Sequence, residues 1–202
     1  MVFVKISSLH PLVLLALAGC LGNGHHSESG GTAWDPVPAS QVDSVEVVQF
    51  GHSYAAIFPA GYRVPVRGTR RFTPSPALIR DIEPRVREQF RDALINQVER
   101  QLNDPTSYGG PLSAEDRERL WKAHLKGINR LTDRYPQLYR QYAGYYSESG
   151  ERMLAILFID FRKDPHDWRP HIADSWVAGW HGWYETSLTE MTYNLDLNKL
   201  VY

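Results

Sequence analysis

Apolar and polar positions change their period twice along this chain, and each change marks a change of element. Residues 45–50 and 54–58 are short β-branched or aromatic runs flanking Gly51-His52-Ser53, with Pro59 behind them, which predicts a hairpin. From Val86 onward the period becomes helical. Val86, Phe90, Ala93, Leu94, Val98 and Leu102 share one face, and Arg87, Glu88, Arg91 and Arg100 fill the rest. Thr73-Pro74 and Ser75-Pro76 each offer a hydroxyl cap followed by proline at the first helical position. Pro84 predicts a kink or restart, and Asp104-Pro105 a stop. A second helix follows Ser113, with Asp116 three residues on in a variant of the capping box. It carries Leu120, Trp121, Leu125, Ile128 and Leu131 at helical spacing, with His124 packed on or beside that face, and Tyr135-Pro136 ends it.

Beyond residue 137 the pattern is that of strands. Residues 138–146 form one, rich in tyrosine, and residues 147–150 a turn. Residues 153–159 are apolar without alternation, which predicts a central strand covered on both faces. After a wet loop at 163–170, residues 172–180 alternate, with Ile172, Trp176, Ala178 and Trp180 on one side. Gly179 and Gly182 predict a bulge or bend there. Residues 188–195 are the next strand, 196–198 a turn and 199–202 a stub. The expected fold is α+β: two main helices packed on an antiparallel β-meander sheet of about four to six strands.

Composition adds location more than chemistry. The chain has 202 residues, enough for one domain with appendages. A net charge of −1 gives no bulk attraction to nucleic acid. The single cysteine, Cys20, rules out an intramolecular disulfide. Residues 1–20 have the form of an export signal, with Lys5 as the positive region and an apolar run at 12–17 too short to span a bilayer. The run ends in Leu17-Ala18-Gly19-Cys20, which resembles the lipobox of bacterial lipoproteins, whose cysteine is acylated and becomes the mature N-terminus. That resemblance implies a membrane partner through a lipid on Cys20. Each buried CH₂ contributes roughly 0.8 kcal/mol, so two or three acyl chains make a lasting anchor. Leu21 is not the aspartate that retains such proteins at the inner membrane, which favours the outer membrane in a diderm cell. Residues 21–41 read as a flexible linker of roughly 25 Å root-mean-square span. Residues 42–202 read as one domain.

Within that domain Arg71-Phe72-Thr73-Pro74-Ser75, Ile79 with Ile82-Glu83, Tyr139-Arg140-Gln141-Tyr142 with Gly144-Tyr145, and Tyr193-Asn194-Leu195-Asp196 are similar to segments of a group of small uncharacterised bacterial lipoproteins. The resemblance implies neither an activity nor a catalytic residue. Members of that group run on past the last strand to an Asn-Gly turn, whereas this chain stops at Tyr202, so the length of its final strand is not implied.

Candidate chemistry is sparse. Neither a nucleophile elbow, nor a zinc-binding His-Glu-x-x-His, nor a phosphate loop occurs. His166, Asp167, His171, Asp174, His181 and Glu185 form a polar cluster that would suit zinc or acid–base work if they converged. Strand parity sends His171 and Asp174 to opposite faces, and Gly182 interrupts the register of His181 with Glu185. The adjacent pair His25-His26 lies in the tether, a poor preformed metal site. Arg63, Arg67, Arg70 and Arg71 read as a solvated connector, or as a patch for an anionic surface. Trp176, Trp180, Trp183 and Tyr184 are a candidate binding face for an envelope glycan or protein, or else the surface on which the helices pack. The function expected is that of a membrane-tethered cell-envelope lipoprotein with a non-catalytic binding domain, requiring no metal or other cofactor. The alternatives are a metal-dependent hydrolase using the C-terminal histidines and a carrier with a pocket between helices and sheet.

Overall fold

The structure is a computed structural model that describes residues 44–66, 68, 70–163, 167–177 and 188–201. The expected lipobox with Cys20, the stretch 21–41 expected to be a linker, His25-His26, Arg67, His166, and the run holding Trp180, His181, Trp183, Tyr184 and Glu185 lie outside the described residues.

Strands β1 (Glu46–Phe50) and β2 (Ser53–Phe58) form the expected hairpin. Gly51, at φ 58°, takes the left-handed position that a two-residue turn of this kind requires. Helix α1 (Pro76–Asn103) starts at Ser75, whose hydroxyl accepts from the Leu78 N–H at 3.2 Å. It runs through Pro84 as one helix and does not restart there. Its apolar stripe is buried as the spacing predicts, joined by Ile79, Ile82 and Gln97. Helix α2 (Ala114–Asp133) is capped by Ser113 and packs on α1, with Ile128 its buried residue. His124 is half-buried, its Nε2 3.2 Å from the Tyr108 hydroxyl.

The C-terminal strands β4 (Tyr139–Tyr146), β5 (Arg152–Ile159), β6 (Leu188–Asn194) and β7 (Lys199–Val201) are a meander of antiparallel neighbours. Residues 153–159 are buried throughout, as a strand flanked on both sides and covered on both faces must be. The sheet as a whole is mixed, which corrects the purely antiparallel expectation. β2 lies parallel to the first half of β4, which the chain reaches only after crossing over through both helices. A seventh strand, β3 (Arg70–Phe72), pairs antiparallel with the second half of β4. It occupies part of the connector expected to be loop. Gly144 makes this possible: a Cβ there would stand 2.6 Å from the Phe72 carbonyl oxygen.

Each face of the sheet carries a core. One is covered by α1 and holds Phe90 against Phe158 at 4.7 Å between ring centroids. The other face, bearing Ala56, Phe58, Ala143, Met153, Ala155, Leu157 and Ile159, is covered by loops around residues 62–66 and 172–177. Residues 172–177 are therefore not the expected strand. They follow a 3₁₀ turn at Arg169–His171 and cross over the sheet instead of adding to it.

Candidate functional site

Two polar clusters meet at β4, where alternate side chains pass to opposite faces. Arg140 and Tyr142 point toward α1. Arg140 is 1% exposed, and its guanidinium pairs with Glu83 of α1 at 2.8 Å. The Tyr135 hydroxyl donates to Oε1 of the same carboxylate at 2.9 Å, and the Tyr142 hydroxyl donates to Oε2 at 2.7 Å. Arg140 also donates to the Ser53 hydroxyl at 3.1 Å and to the Tyr135 and Leu138 carbonyls. Its guanidinium carbon stands 4.5 Å from the centroid of the Tyr135 ring.

The electrostatics follow from that packing. Burial pushes both tyrosine hydroxyls above their ordinary pKa, and the Glu83 charge adds to the effect. Burial is the largest influence on Arg140 and opposes its charge, but the Glu83 carboxylate together with Tyr142 and Tyr135 outweighs it and holds the guanidinium more firmly protonated. Both carboxylate oxygens of Glu83 are thus occupied by donors from the fold itself. The cluster fastens α1 to the sheet and holds no open base. Neither Glu83 nor Arg140 has a role in the reading from sequence, yet each leaves a signal there. Glu83 sits on the apolar stripe beside Ile79, Ile82 and Val86, and Arg140 takes an inward position between aromatic neighbours.

Gln141 points to the opposite face and is fully buried. Its amide donates to the Ile172 carbonyl at 2.7 Å and the Ser175 carbonyl at 2.8 Å, and its Oε1 accepts from the Val177 N–H at 2.7 Å. One side chain thereby holds three backbone groups of the crossing segment. Trp176, on that segment, is 9% exposed and packs edge-on against Phe58 at 5.6 Å. Of the four aromatics proposed as a face, this one belongs to the second core, and the other three lie outside the described residues.

His171 and Asp174 do not diverge as strand parity predicts. They sit three residues apart across a turn, with Nδ1 and Oδ2 2.6 Å apart, both exposed. Asp167 pairs with Arg169. Among the described residues, no three His, Cys, Asp or Glu side chains gather where they could hold a metal. The basic connector is partly consumed by the fold. Arg71 donates to the Gly144 carbonyl at 2.7 Å and the Tyr62 carbonyl at 3.2 Å, and burial lowers its pKa. Arg70 stacks over Tyr146 at 4.7 Å. A cavity of about 450 Å³ opens at the start of α1 between Ser44, Glu46, Ile57, Thr73 and Ser75. It lies beside β1 and β2, and its lining residue Ile57 is the register partner of Tyr142. No helix among the described residues is long and apolar enough to cross a membrane. Comparison with family models, with curated proteins and with solved structures finds no match to this chain.

Proposed function

We propose that this protein is a lipid-anchored cell-envelope lipoprotein whose folded part is a non-catalytic binding domain. The observation that carries the anchor is Leu17-Ala18-Gly19-Cys20 directly after an apolar run of export-signal length. The non-catalytic half draws support from the use of the buried polar groups. The carboxylate of Glu83, the hydroxyls of Tyr135 and Tyr142 and the amide of Gln141 spend their hydrogen bonds on one another, on Arg140 and on backbone. The segments between residues 72 and 202 that resemble small bacterial lipoproteins support the envelope location and are silent on catalysis. The metal-dependent alternative needs His171 to join other ligands through Nε2, since Asp174 holds its Nδ1 at the surface, and no such group of three gathers among the described residues. Metabolic labelling with a fatty-acid analogue tests the anchor. The wild-type chain should take up label and fractionate with membranes, and Cys20→Ala should do neither. An unlabelled wild-type chain would sink the proposal.

A further inference from the structure

The geometry points to β1 as a self-pairing edge, to which β1 of a second copy of this chain adds antiparallel about a two-fold axis at Val47. The two ends of the sheet are built differently. At one end β7 carries Lys199 and has its Leu200 N–H taken by Gln89 Oε1 at 2.8 Å. Gln89 Nε2 also donates to the Asn198 carbonyl at 3.0 Å, so α1 covers that hairpin. These are the devices by which a sheet edge avoids recruiting another strand.

At the other end β1 has none of them. It runs five residues, Glu-Val-Val-Gln-Phe, without proline, lysine or a break in register. The Phe50/Ser53 pair closes a two-residue turn, so Phe50, Val48 and Glu46 direct their backbone bonds to β2. Val47 and Gln49 then turn their N–H and C=O groups outward, and among the described residues they have no backbone partner. The side chains agree with the backbone. Val47 is 49% exposed and Tyr54 39% exposed, and the register makes them diagonal neighbours on one face.

The composition of the edge selects a second copy as the occupant. Pairing about Val47 sets Val47 against Val47, Val45 against Gln49 and Glu46 against Val48. The strand's only charge therefore meets no like charge, and its most exposed apolar side chain is covered by its own equivalent. Both outward-facing residues of each strand find bonding partners in this register.

Cross-linking tests this on the full chain in mild detergent, with a short thiol-specific reagent. The unsubstituted protein, whose lone cysteine is Cys20, sets the background. Val47→Cys should yield a covalent dimer above background, and Lys199→Cys on the guarded edge should not. Gln49→Pro removes an outward N–H that β2 does not use, so it should cut the Val47→Cys yield at least about ten-fold with the thermal midpoint unchanged. Val47→Lys, followed by sedimentation, decides the matter if the proline disturbs the hairpin, and it should leave the chain monomeric where the wild type dimerises. A Val47→Cys chain that stays at background, an equal yield from Lys199→Cys, or a dimer indifferent to both Gln49→Pro and Val47→Lys would each overturn the assignment.

Discussion

Glu83 and Arg140 are a buried ion pair whose value depends on both members being present. Together with Tyr135 and Tyr142 they satisfy one another across the interface between α1 and the sheet. Removing one partner strands the other charge, and breaking a buried pair costs about 3–5 kcal/mol. Glu83→Gln and Arg140→Met should each lower stability by that order in a denaturant titration. Glu83→Leu combined with Arg140→Met should cost much less than the sum of the single changes, because no uncompensated charge remains. Strict additivity in that double-mutant cycle would show that the two do not act as a pair. Gln141, one residue on, illustrates the same logic with a neutral group. Its amide is satisfied by a segment 31 to 36 residues further along the chain.

At the scale of elements, that amide is what makes residues 172–177 a cover instead of a strand. Gln141→Leu keeps the bulk but leaves two carbonyls and one N–H of the crossing segment unpartnered, each costing about 1–3 kcal/mol if it stays buried. Amide hydrogen exchange is the suitable probe. Protection at Val177 should collapse in this variant, while β5 keeps protection in proportion to its global stability. Unchanged exchange at Val177 would remove Gln141 as the clasp. The β6–β7 turn shows a second local solution. Asn194 Oδ1 accepts from the N–H groups of Asp196 and Leu197, and Asp196 accepts from Arg152 N and Nε. Those contacts account for Asn194 and Asp196 in the Tyr193–Asp196 stretch.

For the whole molecule the two tyrosine hydroxyls give a pH signature. Their pKa values are raised in the folded state, so the fold binds protons that the unfolded chain has released. The stabilisation is fully present below the unfolded tyrosine pKa of about 10 and is lost as pH rises beyond it. Thermal midpoints should therefore fall above about pH 10, and Tyr142→Phe should show a shallower alkaline decline than the wild type. An identical slope in the variant would mean that Tyr142 contributes nothing to the linkage.

Local pattern by itself determined the elements whose signals are local. The hairpin at β1–β2, the Ser75 and Ser113 caps, the buried stripe of α1 and the fully apolar β5 all follow from neighbours a few residues apart. Residue identity alone likewise carries the resemblance of Leu17-Ala18-Gly19-Cys20 to a lipobox, on which the proposed anchor rests. Tertiary structure decided what depends on distant partners. Period two marks residues 172–177 as strand-like, but a strand needs an edge to join, and Gln141 and Phe58 hold this segment over a face instead. β3 is three residues long and carries two arginines, so only the gap that Gly144 leaves on β4 makes it a strand. The parallel pairing of β2 with β4 and the meeting of Glu83 with Arg140 arise from the same crossover through α1 and α2. A sequence period records which side of an element turns inward, whereas the partner it finds there is set by how the chain returns.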